Sequence, residues 1–279
     1  DVSRDFTPII RLASTPVAMT ITATDRAGQT ASIEFNMLPR GASGTALPTA
    51  TPNTAAQTGS GQRYALVIAN QNYKHWEKLD TPVADGKAVA ELLTKRFGFE
   101  TTVLTDATRR QVLTALNQLR AKADSQDEVL VYYAGHGEMD AITARGYWIP
   151  VDGEQKNLSQ WISVIDVTDQ LAAMQARHVL VIADSCYSGT LSGSLVQRVD
   201  DALNEQAQRS AWDRLSRQRA RVAITSGGLE PVVDGGGGKN SLYARSLLEV
   251  LTHVQTPIEA QELHAAVAAR FAFLSRRLK

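Results

Sequence analysis

The chain has 279 residues, with 29 basic and 29 acidic side chains, five histidines and one cysteine. At ~150 residues per domain it holds one to two domains, and 43% hydrophobic against 21% charged residues excludes global disorder. Zero net charge argues against a binder of nucleic acid or membrane surfaces, no apolar run approaches the ~20 residues of a membrane span, and one cysteine excludes an intramolecular disulfide or a Cys-rich zinc site. Cys186 is left as a core residue, a surface thiol or a nucleophile.

The chain starts at Asp1 with neither an initiator Met nor a signal-peptide pattern, so a fragment or processed form is expected. Residues 1–38 form the first segment. Within it, apolar and Thr residues alternate on both sides of Asp25-Arg26-Ala27-Gly28, which predicts a β-hairpin over 17–37. The segment resembles the last two strands of a bacterial immunoglobulin-like domain; a lone hairpin packed on the main domain is the alternative. Residues 39–62 are rich in Pro, Gly, Ala, Ser and Thr and read as a flexible linker.

The main domain spans 63–279. Tyr64–Ala69 is a continuous apolar run, as in a strand buried on both faces. Thr81-Pro82 then starts a helix that runs to about Arg96, with Gly98 just beyond it. Further strands are expected at Thr101–Leu104, Glu128–Tyr133, His178–Ala183 and Arg221–Thr225. Further helices are expected over 108–122, 166–174, 240–253 and 258–275. Strands alternating with helices predict an α/β fold, a mostly parallel sheet of about six strands with helices on both faces.

In such sheets ligands bind beyond the carboxyl ends of the strands. The third strand runs into Ala134-Gly135-His136-Gly137-Glu138 and the fourth into Asp184-Ser185-Cys186-Tyr187-Ser188-Gly189. If the two strands are parallel neighbours, His136 and Cys186 emerge on one edge. A thiol nucleophile needs that pairing, because the imidazole must lower its pKa or take its proton. His75, after the first strand, is a distant second candidate. His178 begins the strand that ends near Cys186 and so belongs to the opposite edge; His253 and His264 lie on late helices. Gly135 and Gly137 leave room for a substrate beside His136. The backbone N–H groups of Gly137 and Cys186 are the candidate oxyanion donors.

His136 precedes Cys186 by 50 residues, the order and spacing noted for caspases. The segments Tyr133-Ala134-Gly135-His136-Gly137 and Asp184-Ser185-Cys186-Tyr187-Ser188-Gly189 resemble the metacaspase and bacterial orthocaspase branch of the caspase-like peptidase C14 family. So do Tyr147–Asp152 and Ala223–Gly228. The resemblance implies a caspase-like fold with a p20-like part (63–190), a linker (191–220) and a p10-like part (221–279). It also implies a cysteine endopeptidase in which Cys186 attacks the scissile carbonyl and His136 serves as base and then acid. The substrate is expected to add as a strand near Ser226.

Caspases that cut after Asp carry Gln two residues before the nucleophile. This chain has Asp184 there, as metacaspases do, and Asp85 in the first turn of the first helix matches a second metacaspase acid. Two carboxylates at one pocket predict cleavage after Arg, and then Lys. Taken alone, Asp85 also reads as a helix-dipole partner and Asp184 as an acceptor for backbone N–H groups. Ala134 stands where metacaspases often carry Ser.

Arg198, Arg209, Arg214, Arg217 and Arg219 crowd the 191–220 linker, which in this family is often cut, so self-processing is expected; a solvated helix is the alternative. Gly235–Asn240 falls short of a phosphate-loop pattern. The resemblance implies no obligatory cofactor or metal. Calcium activates some metacaspases, with Asp152 and its neighbours as the acids to consider, but no EF-hand spacing is present. The expected partners are proteins or peptides with Arg or Lys at the cut, with no nucleic acid, no membrane span and a monomeric state. The immunoglobulin-like segment points to an exported bacterial protein. The competing function is a non-proteolytic caspase-like scaffold.

Overall fold

The computed structural model describes the strands Val17–Thr24 and Thr30–Met37, then residues 61–185, 219–226, 238–255 and 258–276. Two units divide the chain, Asp1–Thr51 and Pro52–Lys279. The first contains an antiparallel pair, β1 (Val17–Thr24) and β2 (Thr30–Met37), registered from Val17 opposite Met37 to Thr24 opposite Thr30. That matches the alternation expected over 17–37. Most of the 39–62 linker lies outside the described residues.

The second unit is built on β3 (Arg63–Ala69), β4 (Glu100–Thr105), β5 (Glu128–Ala134), β9 (His178–Asp184) and β10 (Ala220–Thr225). Their order is β10-β9-β5-β3-β4 and every pairing is parallel. The described residues hold five strands of this sheet, beside an expectation of about six. The three inner strands are the apolar runs of the sequence, as strands covered on both faces must be. Alternate residues serve opposite faces. Leu66, Ile68, Val131, Tyr133 and Val181 pack with Val112, Leu116, Val167 and Leu171 of α2 (Arg109–Lys122) and α3 (Val164–Ala172). Val67, Tyr132, Ala134 and Ile182 pack with Val89, Leu93, Leu247 and Val267 of α1 (Pro82–Phe97), α4 (Leu242–His253) and α5 (Ala260–Ser275).

Local signals set the helix ends. Pro82 opens α1 and Gly98 closes it in the left-handed conformation (φ 69°). Thr108 and Gln111 form a reciprocal capping box on α2. Helix α4 begins at Leu242 rather than 240, because the Ser241 hydroxyl accepts the Ala244 N–H as N-cap.

A second, antiparallel sheet, not anticipated from the sequence, follows β5. It comprises β6 (Gly137–Asp140), β7 (Arg145–Trp148) and β8 (Ile162–Ser163), in that order. Its strands are too short and too polar to carry a clear alternation. Tertiary packing supplies what the local pattern lacks: Trp148 stacks on Tyr133 at 4.3 Å, and Tyr73, Ile149, Val151 and Trp161 form a small core beside it.

Candidate active site

Three strands end level. Ala69 pairs with Ala134, and Ala134 pairs with Asp184. The chain leaves β5 for His136 and leaves β9 for Ser185. Cys186, the next residue, lies outside the described residues, as do Arg198, Arg209, Arg214 and Arg217.

His136 is held by the segment between β3 and α1. Its backbone N–H donates to the Tyr73 hydroxyl (2.7 Å), and its Nε2 lies 2.8 Å from the Glu77 carbonyl oxygen. A carbonyl can only accept, so that contact puts the neutral ring's proton on Nε2 and leaves Nδ1 as the basic nitrogen. The ring packs against Tyr73 (4.6 Å between centroids) and Trp76 (5.7 Å). Burial pushes the Tyr73 phenol up, so it stays protonated.

Gly135 is required here for a reason other than the one expected. It adopts φ 156°, and a Cβ at this position would sit 2.5 Å from the Tyr73 hydroxyl oxygen and 3.0 Å from that of Tyr133. The tyrosines that fix the histidine loop, not a substrate, fill the space. Gly137 is buried, but its backbone direction fits the expected donor. Ile149 donates to the His136 carbonyl, which makes Gly137 and Trp148 a non-hydrogen-bonded pair of the β6–β7 ladder. The Gly137 N–H therefore points away from β7, at the outer edge of β6.

The two acids meet at one residue. Ser241 donates its backbone N–H to Asp85 (3.1 Å to Oδ1, 3.2 Å to Oδ2) and its hydroxyl to Asp184 Oδ2 (2.7 Å). Asn240 Nδ2 adds a 2.7 Å bond to Asp85 Oδ1. Both acids are buried, Asp85 at 1% exposure and Asp184 at 9%. Gly86 lets the first turn of α1 approach the sheet: a Cβ there would lie 2.7 Å from that of Ala69. Burial pushes the Asp85 carboxyl up, opposed by hydrogen bonds from Asn240, Ser241 and Thr81. The hydroxyls of Tyr132 and Tyr243 are buried near these acids, with no hydrogen-bond partner among the described residues. Burial and the neighbouring Asp184 charge keep both protonated.

The remaining candidates stand apart. His75 is exposed, and so is His264. His253 Nδ1 lies on the Glu249 carbonyl at the end of α4. His178 is at the start of β9, roughly 20 Å along the strand from Asp184, with Nδ1 3.5 Å from Glu128. Ser226 follows β10, which is the outer strand of the described sheet, and its N–H donates to the Ala183 carbonyl. Arg219, just before β10, donates to the Met174 carbonyl at the opposite edge. Asp152 Oδ1 accepts the Arg109 N–H at the start of α2. Among the described residues no group of three or more His, Cys, Asp or Glu is arranged to hold a metal ion, and no helix is long and apolar enough to cross a membrane. The site residues that sequence reasoning missed are Tyr73, Trp76, Glu77, Asn240 and Ser241. The aromatics in the polar stretch after β3, on the active edge, were the one local signal for the first group.

The sequence model of Peptidase C14, the caspase domain, matches residues 62–279. The chain belongs to the caspase-domain family. It is 27% identical over 176 residues to the human mucosa-associated lymphoid tissue lymphoma translocation protein 1, covering 62% of this chain and 20% of that protein. With the mouse homologue it shares 27% identity over 141 residues, 48% of this chain and 16% of the other. The chain thus spans about a fifth of the length of these relatives. Its fold is similar to the crystal structure of protein GSU0716 from Geobacter sulfurreducens, with a TM-score of 0.53 and 21% identity over 75% of this chain and 89% of that one.

Proposed function

We propose that this caspase-domain protein is a cysteine endopeptidase of the metacaspase type that cuts after basic residues, Arg before Lys. The observation that carries the proposal is the junction of Asp85 and Asp184 at Ser241, on the sheet edge from which His136 emerges. Two carboxylates on one serine make a pocket of negative potential, and the planar guanidinium presents paired donors that an ammonium lacks. The arriving cation replaces the Asn240 amide on Asp85 and shares the pocket with the protonated hydroxyls of Tyr132 and Tyr243.

In this mechanism the Cys186 thiol transfers its proton to His136 Nδ1 and its sulfur attacks the scissile carbonyl. The oxyanion forms against the N–H groups of Gly137 and Cys186. His136 returns the proton to the leaving amine, and the C–N bond breaks to give a thioester. Water, deprotonated by His136, hydrolyses that ester. The residues before the cut extend β10 near Ser226 as an added strand. Self-processing falls in the 191–220 linker. Arg219 is engaged at the far edge of the sheet, which favours Arg198, Arg209, Arg214 or Arg217 in that role.

No cofactor is part of this mechanism. Whether calcium activates the protein is read by a chelator arm; Asp152, the acid considered for it, accepts the Arg109 N–H at the start of α2. The test is hydrolysis of fluorogenic peptides ending in Arg, Lys or Asp, with Cys186→Ala as control and an arm containing chelator. Arg turnover lost in the variant is expected. Equal turnover in the variant would overturn the dyad, and preference for Asp would overturn the acid pocket. A wild type that cleaves none of them favours the scaffold role. A wild type that stays full length under active conditions counts against self-processing.

A further inference from the structure

The hydrogen-bonding pattern that turns the Gly137 N–H outward repeats two residues later. In the β6–β7 register, Glu138 faces Tyr147 in a hydrogen-bonded pair, and Met139 faces Gly146 in a non-hydrogen-bonded one. The N–H and C=O groups of both Gly137 and Met139 therefore point to the outer edge of β6, a strand with no neighbour on that side among the described residues. Only a weak local contact covers the second donor: the Met139 N–H lies 3.3 Å from Oε1 of the preceding Glu138. An edge with two outward donors ~6.6 Å apart is a template for one more strand.

The order of the parallel sheet says which part of a peptide reaches it. Along the active edge, Ser226 follows β10, Ser185 follows β9, and His136 with Gly137 follows β5. A peptide whose residues before the cut lie along β10 crosses the end of β9 and then meets the start of β6. A peptide that enters at Gly137 and continues past Met139 runs in the same sense as β6. In parallel pairing, if the Gly137 N–H faces the carbonyl at the cut, the Gly137 C=O faces the N–H of the second residue after the cut. The Met139 N–H faces that residue's C=O.

We propose that the Gly137–Met139 edge of β6 is the docking track for the residues that follow the cut, which add to it as a parallel strand. The proposal rests on the cysteine-peptidase reading above. Glu138 swings off the Met139 N–H as the peptide arrives.

Backbone methylation of an internally quenched peptide, with one Arg followed by four residues, tests the track in the wild-type protein. Methylating the N–H of the second residue after the cut is expected to lower kcat/KM by about 10-fold, the value of one well-made hydrogen bond. Methylating the third, whose N–H faces away, is expected to cost less than about 3-fold. Equal losses at the two positions, or none at either, overturn the track. Met139→Pro removes the second donor at an edge position that tolerates proline. It is expected to lower the ratio of peptide to Arg-coumarin amide hydrolysis by about 5- to 10-fold, since the amide has no residues after the cut. An unchanged ratio overturns the proposal. Hydrolysis of the amide by the wild type with no methylation effect sinks the track alone. Absence of hydrolysis of both substrates sinks the peptidase reading and the track with it.

Discussion

His136 and His178 sit at opposite ends of neighbouring parallel strands, and their surroundings differ as the two edges differ. His136 is gripped through its backbone by Tyr73, through Nε2 by a neutral carbonyl, and through its ring face by two aromatics. A neutral acceptor on Nε2 fixes the tautomer and turns Nδ1 into the ring's acceptor nitrogen. His178 faces the Glu128 carboxylate, which Arg63 also holds at 2.8 Å. That is a partly exposed charged contact that joins three strand starts. One end of the sheet invests in orientation, and the other in charge compensation.

The sharpest way to break this contrast is to remove each histidine. His136→Ala should lower Arg-peptide turnover by at least about 1000-fold, the scale of losing a catalytic base, with thermal unfolding little changed. His178→Ala should leave turnover as it is and cost at most about 1 kcal/mol in denaturant unfolding. Comparable losses of activity in the two variants would erase the distinction between the edges.

Next in size is the acid pair. Asp85→Asn keeps the shape of the junction and removes its charge, so Arg-peptide kcat/KM should fall about 30- to 1000-fold, as for truncating one member of a buried charge pair. Loss of stability without loss of selectivity would make Asp85 a helix-dipole partner only. Gly135→Ala drives a methyl into the Tyr73 and Tyr133 hydroxyls, and an overpacking cost of about 1–3 kcal/mol is expected, together with lower turnover. Tyr73→Phe deletes the acceptor of the His136 N–H. It should reduce kcat by about 10-fold with KM nearly unchanged, and a change in KM alone would argue against a positioning role.

The opposite edge gives the smallest effect. Its hydrogen bond from His178, and then Arg63, hold the Glu128 carboxyl below the usual range against the pull of burial. A carboxyl depressed in the folded state stabilises the fold above its unfolded pKa and loses that contribution as pH falls through the folded one. Glu128→Gln should therefore narrow the stability difference between neutral pH and pH below ~4, as read by denaturant midpoints. An identical pH profile would remove Glu128 from the account.

How much of this was legible depends on sequence distance. Strands β3, β5 and β9 announced themselves as apolar runs, and helix ends such as Pro82, Gly98 and Thr108 by local chemistry, because burial and capping act within a few residues. His136 was placed by the end of its strand. The grip on it was not, since Tyr73 bonds it from 63 residues away. Asp85 and Asp184 could be nominated singly, but Ser241 reaches Asp85 across 156 residues and Asp184 across 57. No local pattern encodes such a junction. Strands β6 to β8 were hidden for the same reason, their stability coming from aromatic stacking rather than from alternation.

The Ser241 junction also straddles the arginine-rich linker. Both acids precede residues 191–220, while the serine, the asparagine beside it and strand β10 follow them. A chain nicked in that linker would own its specificity pocket only as a pair of polypeptides, kept together by the β9–β10 ladder, the packing of α4 and α5 in the core and the hydrogen bonds at Ser241 and Asn240. Fragment complementation would then become a property of the mature form: the halves, separated and remixed, should regain Arg selectivity in proportion to how much heterodimer they form.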